Sequence, residues 1–163
     1  MFYLLLILVV IFFAFALSAI IGVPFLQTHL PQAERMVELA ELRSGMTALD
    51  LGSGAGRLMF LAAQSGAKVI GYELNPFLAL LTKFRIIKKG LQNQVSIRCK
   101  SLYRADLKDA DAVFVFLFPG PMKKLAPKFF SEMKPGSKII SYAFKIPDRT
   151  PTHAEQGIFV YTV

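Results

Sequence analysis

The chain is predicted to fold as an α/β domain on a doubly wound, mostly parallel sheet, with one membrane-spanning helix ahead of it. Three observations carry this expectation. Thr47-Ala48-Leu49-Asp50-Leu51 reads as a short buried strand that runs into Gly52-Ser53-Gly54-Ala55-Gly56 and then a helical pattern from Arg57. A second strand pattern, Lys68 to Glu73, also ends on a carboxylate, about 20 residues past the glycines, where a nucleotide-binding βαβ unit keeps its ribose-binding acid. Finally, Met1 to Leu26 holds no charged side chain.

The N-terminal stretch accounts for a hydrophobic content of 54%. Phe2 to Val23 is almost wholly apolar, and the first charged residue is Glu34. Roughly 20 such residues in a helix span a hydrocarbon core of ~30 Å. A cleaved leader is the rival reading, but no basic residue precedes Leu4, and Ala16-Leu17-Ser18 is a poor cleavage site. The expectation is therefore an uncleaved anchor over residues 1–26 and the α/β domain over residues 27–163. Basic residues follow the anchor and none precedes it, which puts the domain on the cytoplasmic or organellar matrix side. Pro24 and Pro31 punctuate a short linker.

The remaining elements follow in order. Gln32 to Arg43 is an amphipathic helix that turns Met36, Leu39, Ala40 and Leu42 inward and stops at Ser44-Gly45. After the first strand comes the helix Arg57 to Gln64, then the second strand. Asn75-Pro76 opens a helix to Lys89, with Pro suited to its first turn and Gly90 to its end. Phe77, Leu78, Leu81, Phe84 and Ile87 are its expected buried stripe. Its lysines are expected in solvent, where each one near an anionic surface would contribute about 1 kcal/mol. Val95 to Cys99 is the third strand. Ala112 to Phe118, a continuous apolar run, is a fourth strand buried on both faces, ending in a Pro119-Gly120-Pro121 loop. A helix over Met122 to Met133, a strand over Ser137 to Phe144 and a last strand over Gly157 to Val163 complete a pared-down fold.

The chain has 163 residues, enough for one domain with a core. Its net charge is +8 and its pI about 9.7. A basic chain suits RNA, but no basic patch is interleaved with aromatic residues. The single Cys99 excludes an intramolecular disulfide and is expected in the core, and no Cys/His spacing supports a metal.

The glycine turn differs from a dinucleotide fingerprint. Its third glycine is Gly56, where that fingerprint would place one at position 57, now Arg57. Asp50 precedes the first glycine by two residues. The Asp50–Gly56 segment resembles motif I of the class I S-adenosylmethionine-dependent methyltransferases. A narrower resemblance rests on Val23-Pro24-Phe25, on Leu49 to Arg57, on Gly71-Tyr72-Glu73-Leu74-Asn75-Pro76 and on Phe116-Leu117-Phe118-Pro119. Together these resemble the membrane-anchored protein-lysine methyltransferases, the ATP synthase c-subunit lysine methyltransferase-like family.

That resemblance implies a Rossmann-like class I methyltransferase fold with S-adenosyl-L-methionine as cofactor and no metal. It implies cofactor contacts from Asp50, Gly52, Ser53, Gly54, Gly56, Glu73, Asn75 and Ser101. The family carries Lys-Asp-Leu-Trp where this chain has Lys100-Ser101-Leu102-Tyr103, so a neutral hydroxyl replaces an acid at the adenine contact. The implied acceptor is a lysine on a membrane protein, with the lipid bilayer as second partner and no nucleic acid; the oligomeric state stays open. Tyr72, Phe118, Pro119 and Tyr142 are the candidate amine pocket. His29 and His153 are isolated, so no general base is expected. The alternatives are an RNA or small-molecule methyltransferase on the same fold, and a non-enzymatic membrane protein with a degenerate nucleotide fold.

Overall fold

A computed structural model describes residues 3–9, 12 and 27–163. Residues 3–9 are helical and exposed. Most of the expected anchor lies outside the described residues. Among the described residues, no helix is long and apolar enough to cross a membrane.

The domain orders its strands β1 (Thr47–Leu51), β2 (Lys68–Glu73), β3 (Val95–Cys99), β4 (Ala112–Val115), β5 (Lys138–Tyr142), β6 (His153–Glu155) and β7 (Ile158–Thr162). They assemble as β3-β2-β1-β4-β5-β7-β6. Strands β1 to β5 are mutually parallel, and β7 runs antiparallel to both β5 and β6. The expected doubly wound, mostly parallel sheet is therefore present. The order reverses at β1, so a crevice opens past the carboxyl ends of β1 and β4.

Helices α1 (Leu30–Ala40), α2 (Arg57–Ala63) and α3 (Pro76–Lys88) cover one face. There Met36, Met59 and Ile86 pack on Ala48, Phe114 and Ile140. Helix α4 (Pro119–Glu132) and a 3-10 turn (Leu102–Arg104) cover the other face, where Met122, Leu125 and Phe129 pack on Leu49, Val113 and Ile139. This second layer is thin because a 3-10 turn stands where a full crossover helix would lie. Arg35 ties α1 to the far edge of the sheet by gripping Glu155, and with His153 it holds the Glu155 carboxyl down at about 2.

Five sequence expectations need correction. Strand β4 stops at Val115 rather than Phe118, and Pro119-Gly120-Pro121 is the first turn of α4 rather than a loop. Proline has no N–H to leave unpaired there, so it starts a helix well. Cys99 is exposed: it shares a face with Val95 and Ile97 but is the last residue of β3, an edge strand, beyond the cover of the core. Strand β6 is additional to the expected set. Its sequence is short and polar, but Gln156 and Gly157 at φ 45 and 77 make the two-residue hairpin that pairs Glu155 with Ile158. Lastly, α3 buries Leu78, Ala79, Thr82 and Ile86, and leaves Phe77, Leu81, Phe84 and Ile87 exposed.

Candidate cofactor site at the carboxyl edge

The register brings the polar ends of three adjacent strands to one edge. Leu51 pairs with Tyr72 and Glu73 with Cys99, so Asp50, Glu73 and Ser101 stand along the carboxyl ends of β1, β2 and β3. The glycine turn is tied back onto β2: Gly52 and Ser53 both donate N–H to the Tyr72 carbonyl, at 2.9 and 3.0 Å. Gly52 has φ +90, and no atom lies within 4 Å of where a Cβ would stand, so its backbone is open to close approach. Gly56 has φ +82, and a Cβ there would meet Thr82 Cγ2 at 2.9 Å and Phe60 Cε2 at 3.0 Å. Helix α3 thus packs directly on the turn. The Thr82 hydroxyl donates to the Gly54 carbonyl at 3.1 Å, and Arg85 Nη1 donates to the Ala55 carbonyl at 3.0 Å.

Glu73 occupies both of its carboxylate oxygens within the protein. Oε2 accepts from the Gly54 N–H at 2.8 Å and Oε1 from the Asn75 N–H at 2.7 Å. Each oxygen keeps further lone-pair capacity for a ligand hydroxyl. Asn75 is buried and caps α3, with Oδ1 accepting from Phe77 and Leu78 N–H at 3.0 and 3.3 Å. Its side-chain oxygen is thereby committed to the helix, so Asn75 positions Glu73 and α3.

Asp50 is 4% exposed, and among the described residues no donor reaches its carboxylate. Burial, with a smaller contribution from the Glu73 charge, pushes it up to about 7. The buried Ser53 hydroxyl has no hydrogen-bond partner among the described residues. Ser101 opens the 3-10 turn half-buried, and its hydroxyl pairs with no described residue. The edge therefore presents an unpaired carboxylate, the unpaired Ser101 hydroxyl, a second carboxylate and open glycine backbone, while the Ser53 hydroxyl is buried beside Gly71. This donor set repels a pyrophosphate. It suits a ligand that brings cationic groups and sugar hydroxyls, as S-adenosylmethionine does with its ammonium, sulfonium and ribose.

Gly71 completes the local packing. A Cβ at Gly71 would lie 2.4 Å from Met59 Sδ and 2.8 Å from Ser53 Oγ. Gly71→Ala is expected to destabilise the fold by about 1–3 kcal/mol through overpacking. Thermal unfolding checks this, with an unchanged midpoint as the contrary result.

The candidate amine pocket does not assemble as expected. Tyr72 is 1% exposed on the α4 face, where its hydroxyl accepts from Arg98 Nη1 at 2.8 Å. Tyr142 packs on the opposite, α2 face. The register explains the separation: Tyr72 is level with Leu51, Val115 and Ser141, and Tyr142 is one residue further on. Tyr142 instead joins an aromatic group past β4 and β5. Its ring meets Phe116 edge-on at 4.9 Å, Phe144 stacks on Phe116 at 6.3 Å, and Phe118 lies 5.1 Å from Phe144. Phe118 caps α4, and Pro119 beside it is exposed in the first turn. Sequence reasoning misses Phe116 and Phe144; the aromatic run at the ends of two neighbouring strands is the signal that could find them. A cavity of about 410 Å³ lined by Glu41, Arg43, Asp111 and Lys138 lies at the amino edge, remote from these groups.

Known proteins resemble this chain in sequence and in fold. A family model for the ANTKMT methyltransferase domain matches residues 50–153. The ATP synthase c-subunit lysine N-methyltransferase of Rattus norvegicus is 31% identical over 80% of this chain and 60% of its own length. The protein-lysine N-methyltransferase of Saccharolobus islandicus is 30% identical over 90% of this chain and 94% of its own. Among solved structures, an RNA methyltransferase from Salinibacter ruber in complex with S-adenosyl-L-homocysteine superposes with a TM-score of 0.79. It is 30% identical, over 84% of this chain and 93% of that one. The chain spans 52 to 60% of the length of the mammalian c-subunit methyltransferases it matches. By motif, by sheet and by these matches, the chain belongs to the ANTKMT methyltransferase domain family, within the class I S-adenosylmethionine-dependent methyltransferases.

Proposed function

We propose that the chain transfers a methyl group from S-adenosylmethionine to a lysine side chain of a membrane-held protein. The observation that carries this reading is the aromatic group Phe116, Phe118, Tyr142 and Phe144, which stands at the carboxyl edge past β4, beside the Asp50–Glu73 site on β1 and β2. When bound, the cofactor supplies a sulfonium methyl group for displacement by an amine. Asp50 and Glu73 hold its cationic end and ribose, and Ser101 takes a neutral hydrogen bond at the adenine end. The aromatic rings flank the acceptor. They strip water from its amine, which lowers the amine's pKa towards the neutral, nucleophilic form. Their faces also attract the alkylammonium product. With alignment supplying much of the acceleration, no side chain has to act as base.

Relatives named for lysines of the ATP synthase c-subunit and of adenine nucleotide translocase support the protein-lysine reading. The uncharged stretch over residues 2–23 supports an anchor over residues 1–26, with the domain over residues 27–163 on the cytoplasmic or matrix side of the bilayer. A linker of about ten residues reaches at most ~35 Å, so the acceptor lies near the headgroups on the same side. The Salinibacter ruber structure favours a second reading, an RNA acceptor.

Full-length protein incubated with membranes and methyl-labelled cofactor decides between them. Label that protease removes and ribonuclease leaves is the expected result; label lost to ribonuclease transfers the assignment to RNA.

A further inference from the structure

Helix α3 is built inside out for a soluble domain. Its inward face carries Leu78, Ala79, Thr82 and Ile86. Its outward face carries Phe77, Leu80, Leu81, Phe84 and Ile87, which are 37, 66, 40, 63 and 53% exposed. At 100° per residue these five project along one continuous stripe. Lys83 and Arg85 flank the stripe, and Lys88 and Lys89 close its carboxyl end. No acidic residue occurs from Pro76 to Lys89. Among the described residues, Lys83 and Lys88 pair with no carboxylate. A bulky apolar ridge edged only by cations is the composition of a helix that lies in a bilayer interface, with its rings among the acyl chains and its lysines at anionic headgroups.

We infer that the outer face of α3 docks on an anionic lipid surface and turns the cofactor edge toward it. This goes beyond the methyl-transfer reading and stands whatever the acceptor is. The position of α3 supports it. Through Thr82 and Arg85 the helix is fastened to the glycine turn. The chain enters the domain at the same turn, where Arg57 Nη1 donates to the Thr28 carbonyl at 2.6 Å, directly after the uncharged N-terminal stretch. Thr28, where the chain joins the domain, and α3 are therefore both fastened to the same turn. The chain's own N-terminal residues do not cover the ridge over their described part, since Leu4 to Val9 are themselves 43–63% exposed. A partner protein's apolar helix would not require a rim made only of cations.

The chain has no tryptophan, so Phe84→Trp gives a clean reporter. The full-length variant is reconstituted into phosphatidylcholine vesicles containing phosphatidylglycerol with brominated acyl chains. Its indole emission is expected to shift to shorter wavelength and to be quenched by the brominated chains. Both effects weaken in high salt and when Lys83→Gln and Lys88→Gln are added. Lys123→Trp, exposed on α4 across the sheet, should emit as in water. Leu80→Trp repeats the test if the first variant folds poorly. A blue-shifted but unquenched emission from Phe84→Trp means that protein covers the ridge and overturns the inference. So does an emission indifferent to the vesicles. Equal quenching in vesicles of brominated phosphatidylcholine alone overturns the anionic assignment.

Discussion

Glu73→Ala should weaken S-adenosylmethionine binding at least about tenfold and also lower the melting temperature of the ligand-free protein. The first effect follows from losing charge-assisted acceptance of the ribose hydroxyls, at roughly 1.5–3 kcal/mol per bond. The second follows from the structure, because Glu73 already accepts the Gly54 and Asn75 N–H groups and so joins the glycine turn to the start of α3. A loss of about 1–3 kcal/mol here lowers the midpoint by roughly 2–10 °C in a chain of this size. Sequence alone predicts the binding loss with little change in melting temperature; the bonds to Gly54 and Asn75 correct the second part. Calorimetry and thermal unfolding read the two effects separately. Unchanged affinity would remove Glu73 from the site.

Asp50→Asn should make the apo protein more resistant to heat at neutral pH while impairing cofactor binding. Asp50 has a folded value of about 7 against an unfolded value near ~3.9. Between these values the folded state binds the extra proton, so the stability of the parent chain falls as pH rises from about 4 to about 7, then levels. The asparagine variant lacks that slope. The difference in midpoint, variant minus parent, should grow across the window and plateau above it. Cofactor affinity of the parent should rise with pH through about 7, because a cationic ligand favours the ionised carboxylate; the variant's should not. Parallel stability profiles for the two proteins would show that Asp50 does not titrate in this range.

The sheet is legible in the sequence because its strands declare themselves twice, by apolar runs and by the carboxylates and glycines that end them. Spacing alone places Asp50, Gly52 and Glu73 at one edge. Two features are not legible, for reasons of geometry. In α3, apolar residues occupy both sides, so a stripe through Phe77, Leu81 and Phe84 fits the helical period as well as one through Leu78, Thr82 and Ile86. Which side is buried depends on Thr82 reaching the Gly54 carbonyl, a contact across 28 positions. Residue type groups Tyr72 with Tyr142, but sheet register decides their faces and separates them. The aromatic group emerges only once β4 and β5 are known to be neighbours.

Amino-acid analysis of the labelled product tests the central claim most directly. Full-length protein is incubated with membranes and methyl-labelled S-adenosylmethionine, with Glu73→Ala as control, and the protein fraction is hydrolysed. The account predicts that the label co-migrates with methylated lysine and is sharply reduced in the control. Label in nucleotides, in a small molecule or in any other amino acid would contradict it.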